Sequence, residues 1–108
     1  MMNTVSIEVI ADHFKLLGDR TRLKIISMLY YQEMCVCQLV ELLNTTQPNI
    51  SQHLRKLKDA GLVREEKRGQ WSYYSLQLQG KPHLQDVVKY LPDLDEALKQ
   101  KMNDSICD

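Results

Sequence analysis

Three features of the chain predict a mainly α, winged helix-turn-helix fold, with about five to six helices plus one β-hairpin wing. Two helical segments meet at the short turn Asn44-Thr45-Thr46. The second of them carries a polar, amide-rich face. Directly after it, Leu62 to Lys67 and Trp71 to Leu76 have the composition of two strands, joined by Arg68-Gly69-Gln70. Two helices across a tight turn, followed by a hairpin, make up this arrangement.

In chain order, Ile7, Ile10, Phe14 and Leu17 recur at helical spacing and define a first amphipathic helix ending near Gly18. Asp19 suits the N-cap of a second helix over about 20–31, with Leu23, Ile26 and Leu29 facing inward. A third helix over about 34–43 has Val36, Leu39, Val40 and Leu43 as its apolar stripe, and Asn44 suits a left-handed C-cap. Thr46 caps the fourth helix, Pro48 falls in its first turn where a missing N–H costs little, and Gly61 ends it. Gly69 can take positive φ at the tip of the hairpin. From Pro82 the chain is helical again, with Leu84, Val87, Val88 and Leu91 on one stripe and Leu94, Leu98 and Met102 on another, split or kinked at Pro92.

At 108 residues this is one domain, spanning 1–108 with a short helical, acidic tail. It is long enough for one core but not for a deep catalytic cleft as well. Net charge is zero, yet the charges are unevenly placed. Residues 47–58 hold Arg55, Lys56 and Lys58 with no acid, and Arg64, Lys67 and Arg68 follow, whereas acids dominate from His83 onward. A phosphate responds to that local field rather than to the total. Three cysteines, an odd number, do not suggest a secreted disulfide framework. No signal peptide and no 18-residue apolar run are visible, so the expected setting is cytoplasmic, without membrane contact and with reduced thiols. No Gly-rich phosphate loop, Ser/His/Asp order or paired carboxylates appear, which argues against an enzyme.

On the fourth helix, Ile50, Leu54 and Leu57 share the core side, and Gln52, Arg55 and Pro48 lie opposite, flanked by Asn49, Ser51 and Lys56. Amide and hydroxyl groups there match base edges in a major groove. Arg55, Lys58 and Arg68 suit phosphates, which position a protein without reading sequence. Most charged helix faces are simply solvated; this one is amide-rich and is the second helix across a tight turn. Asp59 faces outward and repels phosphate, so the contact ends before it. His53 lies at the rim, where a structural hydrogen-bonding role outweighs a lesser one in DNA contact.

Cys35 and Cys37 form the second constellation. Side chains two apart on a regular helix point to nearly opposite sides, whereas in extended backbone they share a face. Joint binding therefore requires the start of the third helix to be irregular or to unwind. Two soft sulfurs without a His, Asp or Glu pair favour a thiol-seeking ion. Two small buried apolar residues are the bland reading of such a pair. A redox pair of the disulfide-oxidoreductase kind lacks its flanking βαβ pattern.

Cys35-Val36-Cys37-Gln38-Leu39, Thr46-Gln47-Pro48-Asn49-Ile50-Ser51-Gln52-His53-Leu54 and Gly69-Gln70-Trp71-Ser72-Tyr73-Tyr74-Ser75-Leu76 together resemble the ArsR/SmtB family of metal-responsive transcriptional repressors, most closely its arsenical-resistance members. The resemblance covers roughly residues 7–90. It implies a homodimer paired through the terminal helices, which bear more apolar surface than one small core uses. It implies double-stranded operator DNA as partner, with contacts at Gln47, Asn49, Ser51, Gln52 and Arg55 and with Gly69-Gln70 at the wing tip. No cofactor is needed for DNA binding; the implied inducer is As(III) or Sb(III) on cysteine thiolates. Family members typically supply three sulfurs, but Val40 stands where the third is common, which leaves Cys107 in the tail as the remaining candidate or as a thiol without a role. The family's zinc-type positions hold Lys81, His83, Leu94 and Ala97 here, of which only His83 is a ligand type, and the cadmium/lead type needs an N-terminal cysteine that residues 1–34 lack. Alternatives within the fold are a Cd/Pb sensor and a thiol-redox or persulfide sensor using Cys35 with Cys107; outside it stands a winged-helix protein–protein adaptor.

Overall fold

A computed structural model describes residues 5–92 and 100–101. Over residues 5–92, five helices and a small sheet follow in the order α1 (Ile7–Leu17), α2 (Arg20–Tyr31), β1 (Met34–Cys35), α3 (Val36–Leu43), α4 (Gln47–Asp59), β2 (Val63–Arg68), β3 (Trp71–Leu76) and α5 (Pro82–Lys89). The helix ends follow the expected chemistry. The Asp19 carboxylate accepts from the Arg22 N–H at 3.0 Å. Asn44 takes the left-handed conformation, φ 53° and ψ 53°, and stops α3 so that α4 begins within three residues. Apolar side chains of α2, α3, α4 and α5 close one core, in which Ile25, Leu39, Ile50, Leu54, Leu57 and Leu84 are fully buried.

One expectation is corrected. The third helix does not begin at residue 34. Met34 and Cys35 are extended and pair antiparallel with Tyr74 and Tyr73 of β3, giving a three-stranded sheet in the order β1-β3-β2. Burial explains the difference: Met34 and Cys35 are 0% and 1% exposed, so their backbone groups need the ladder that β3 offers. The first helix leaves much of its apolar stripe outside the core of one protomer, in line with the excess apolar surface expected of the terminal helices. Leu17 is buried, but Ile7 is 79% and Phe14 46% exposed, while His13 is buried at 6%. The second stripe of the C-terminal segment, Leu94, Leu98 and Met102, lies outside the described residues.

The hairpin keeps its expected place, with β2 one residue further along than the sequence suggests. Arg68 pairs with Trp71, so only Gly69 and Gln70 form the loop. Gly69 has φ 64°, and the two-residue connection places the tip beyond the last strand pair.

Candidate nucleic-acid interface and thiol site

The α4 helix is built from its underside. Ile50, Leu54 and Leu57 are wholly buried, which fixes rotation about the helix axis and leaves Gln47, Ser51, Gln52, Arg55 and Lys58 exposed. At its start, the Thr46 hydroxyl oxygen accepts from the Asn49 backbone N–H at 3.3 Å. The Asn49 side chain turns back, its Nδ2 donating to Thr45 Oγ1 at 3.0 Å, so Asn49 is half-buried and braces the turn. His53 is held from below: its Nδ1 lies 3.2 Å from Arg22 Nη1, and Arg22 Nε donates to the Leu16 carbonyl at 2.6 Å. A guanidinium only donates, so Nδ1 is the acceptor and the remaining proton sits on Nε2. His53 thus joins α2 to α4, as its rim position suggested.

Charge on this face is not uniform. Arg55 makes no ion pair or hydrogen bond among the described residues. Lys58 Nζ lies 2.7 Å from Glu65 Oε1 of β2. That hydrogen bond, helped by Ser72, holds the Glu65 carboxyl below the usual carboxylate range. Tyr74 beside it is pushed up to about 12, first by burial and then by the Glu65 charge. At the wing, Arg68 faces Glu33 through a two-bond fork, Nη1 to Oε1 at 2.9 Å and Nη2 to Oε2 at 3.0 Å. Its Nη2 also donates to Glu66 Oε1 at 2.6 Å, and the guanidinium lies 4.6 Å from the centre of the Tyr73 ring. Gly69 and Gln70 remain exposed at the tip. The sequence shows Glu65 and Glu66 interrupting the basic run from Arg64 to Arg68, but not which cations they hold, nor that Glu33 joins them.

The thiol pair gains its geometry from the strand that the sequence did not announce. Cys35 is the extended N-cap residue of α3, φ −85° and ψ 166°, and Cys37 follows in the first turn. Gln38 locks this junction, its Oε1 accepting from the Cys35 backbone N–H at 3.0 Å. The helix start is therefore irregular in the way that joint binding requires, and the two sulfurs lie 3.0 Å apart. That separation is well beyond a covalent S–S bond of about 2.05 Å, and Cys35 is a free, buried thiol. Cys107 lies outside the described residues. Among the described residues no group of three His, Cys, Asp or Glu gathers around a common point.

A cavity of about 220 Å³ opens beside the sulfurs. Cys35, Val36 and Cys37 form one wall, Trp71 another, and Gln47, Gln70 and Ser72 complete it. The first residue of α4 and the tip of the wing therefore border the same space as the thiols. The periodicity of the sequence gave no hint of this junction, because it depends on β1 joining β3.

His83, the remaining residue of the zinc-type positions, packs elsewhere. Its Nε2 lies 2.9 Å from His13 Nδ1, the rings stack with centroids 5.2 Å apart, and its Nδ1 is buried without a hydrogen-bond partner among the described residues. Burial, then the neighbouring His83 and Lys81, lower the His13 pKa from its ordinary value.

A helix pair across a three-residue turn, a polar outward face and a glycine-tipped wing define a winged helix-turn-helix DNA-binding regulator. Residues 19–65 match the family model described as "Bacterial regulatory protein, arsR family". An uncharacterised HTH-type transcriptional regulator of Methanocaldococcus jannaschii is 38% identical over 88 residues, which is 81% of this chain and 96% of that protein. The arsenical resistance operon repressor of Escherichia coli K12 is 43% identical over 72 residues, 66% of this chain; the match spans only 58% of that repressor's length. Among solved structures, the homodimeric winged helix-turn-helix DNA-binding domain of a possible ArsR-family regulator from Mycobacterium bovis superposes with a TM-score of 0.67 at 25% identity, covering 77% of each chain. The chain belongs to the arsR family of transcriptional regulators, whose members bind DNA and are not enzymes. No helix of the described residues is long and apolar enough to cross a membrane.

Proposed function

We propose that the protein is a metalloid-responsive repressor whose free homodimer binds a palindromic operator and lets go when As(III) or Sb(III) binds Cys35 and Cys37, with Cys107 as the third sulfur. The observation that carries this reading is the 3.0 Å approach of the two sulfurs in a cavity that Gln47 and Gln70 also border. Cargo on the sulfurs then strains the junction between the reading helix and the wing. The E. coli relative, named an arsenical resistance operon repressor, supports the choice of inducer.

In this reading Gln47, Ser51 and Gln52 enter the major groove, with Asn49 positioning the helix start and Arg55 meeting phosphate. Lys58, Arg68 and His53 flank the contact, and Gly69-Gln70 reaches the adjacent backbone. Two such helices in a two-fold dimer read half-sites about 34 Å apart. The dimer draws support from the apolar groups left uncovered on one protomer, Ile7, Val9, Phe14 and Tyr90, and from the homodimeric M. bovis neighbour.

The test is operator binding titrated with arsenite, antimonite, cadmium, lead, zinc and peroxide. Wild type and the Cys35→Ser, Cys37→Ser and Cys107→Ser variants are compared. The expected outcome is release of wild type by arsenite through a coupling of about 1–3 kcal/mol, with DNA binding intact and release lost in Cys35→Ser and Cys37→Ser. Release by peroxide alone replaces the inducer with an oxidant. Unchanged release in both variants removes the site.

A further inference from the structure

Between its buried side and its outward side, α4 has two flanks. Lys58 marks the flank that faces the wing, because its Nζ reaches Glu65 of β2. Asn49, His53 and Lys56, spaced by four and three residues, share the opposite flank. There His53 meets Arg22, whose backbone N–H donates to Asp19 Oδ1 at 3.0 Å, whose Nε donates to the Leu16 carbonyl at 2.6 Å, and whose Nη1 donates to His53 Nδ1 at 3.2 Å. The Leu16 carbonyl belongs to the last turn of α1, where carbonyls lack partners within the helix, so it is free to anchor the guanidinium. A ring that accepts at Nδ1 keeps its one proton on Nε2 and is uncharged. His53 Nε2 has no hydrogen-bond partner among the described residues, yet the one buried side-chain nitrogen or oxygen there without a partner is His83 Nδ1. The Nε2–H of His53 therefore reaches solvent.

We propose that His53 is a fixed, uncharged N–H donor to a DNA phosphate on this flank, and that Arg22 is its positioning residue. This rests on α4 entering the major groove, as read above, and names what its second flank contacts. A helix of about 10–12 Å diameter fills a groove about 12 Å wide, so phosphates border both of its flanks. Lys58 and the wing serve one flank. The other offers the His53 N–H and Lys56, which is exposed and makes no ion pair among the described residues. The two groups act differently. Lys56 displaces a counterion when it meets phosphate, whereas an uncharged donor displaces none and adds affinity at every salt concentration. Fixing the ring is what makes the donor usable, because the hydrogen bond at one ring nitrogen sets the proton on the other. A flipped or tautomerised ring would turn a C–H or an N–H toward a guanidinium that only donates.

The test uses the full chain on a duplex that wild type selects from a random-sequence pool, with affinity measured between about 50 and 200 mM salt. A hydrogen bond to a charged group contributes about tenfold, so two per dimer make His53→Leu about a hundredfold weaker, with the salt slope unchanged. His53→Gln, whose amide offers an acceptor to Arg22 and a donor to phosphate, recovers most of that loss. Replacing phosphates one at a time by uncharged methylphosphonates locates the partner: at one position in each half-site wild type weakens and His53→Leu does not. Ring-nitrogen NMR of the free protein finds His53 protonated at Nε2 alone. Arg22→Met weakens binding in the wild-type background and adds little to His53→Leu; if it fails to fold, the tautomer, the two His53 variants and the methylphosphonates decide. Unchanged affinity or a flattened slope in His53→Leu, an equal loss in His53→Gln, a proton on Nδ1, or the absence of such a phosphate each overturns the proposal while leaving α4 in the groove. A pool that yields no duplex for wild type overturns the DNA reading and the proposal together.

Discussion

Removing Arg55 is the sharpest probe of how this face meets phosphate, because the structure ranks the basic residues in a way their sequence does not. Each phosphate neutralised by a free cation contributes a slope of about 0.9 in log K against log salt. A two-fold dimer loses two such contacts in Arg55→Ala, so the slope flattens by about 1.8. Between 50 and 200 mM salt, a fourfold change, wild type then loses roughly twelvefold more affinity than the variant. Arg68 behaves differently. Its guanidinium already faces Glu33 and Glu66, at 2.9 Å and 2.6 Å. Moving it to a phosphate strands two carboxylates, which take up cations as the phosphate releases one. Arg68→Ala therefore leaves the slope nearly unchanged, and the double variant Glu33→Gln/Glu66→Gln steepens it. Lys58, paired with Glu65 alone, falls between the two. Operator affinity measured by fluorescence anisotropy across that salt range decides the ranking. If Arg68→Ala flattens the slope as much as Arg55→Ala, the carboxylates do not screen Arg68 and the reasoning fails.

Leu54→Ala, at a wholly buried position beneath the reading helix, is expected to cost about 2–5 kcal/mol of stability, measured by urea denaturation. Asn44 sits at φ 53°, so Asn44→Gly is nearly neutral, whereas a β-branched Asn44→Val loses about 1–2 kcal/mol or more and disturbs the turn before α4; equal midpoints for the two variants contradict the left-handed assignment. His13 is held below its ordinary value of 6.5 by burial, with His83 and Lys81 adding to it. A depressed histidine stabilises the fold in its neutral form, so this contribution is fully present above pH 6.5 and is lost as pH falls through the lower folded value. The denaturation midpoint drops over that window in wild type and drops less in His13→Gln; identical pH profiles refute the assignment.

Much of this protein follows from its sequence alone, and the successes share a cause. Helix boundaries at Asp19, Asn44 and Thr46, the buried side of α4 and the glycine at the wing tip are decided within a few residues of chain. Capping, 3.6-residue periodicity and left-handed backbone act at that range. The outward set Ser51, Gln52 and Arg55 is legible for the same reason: once Ile50, Leu54 and Leu57 turn inward, these residues have no choice of side. His53 at the rim follows from the same wheel, although its partner Arg22 does not.

What only the tertiary structure decided depends on groups far apart in the chain. Met34 and Cys35 form a strand because β3 offers a ladder to buried backbone groups, a pairing that no local pattern encodes. That strand brings the two sulfurs onto one side and sets them beside Trp71, Gln47 and Gln70. Likewise, the carboxylates that hold Lys58 and Arg68 come from the neighbouring strand and from the turn before β1. Which residues point outward is written in local periodicity; which cations are already paired with a carboxylate, and what shares a cavity with the thiols, depends on long-range pairing and is settled only when the chain folds.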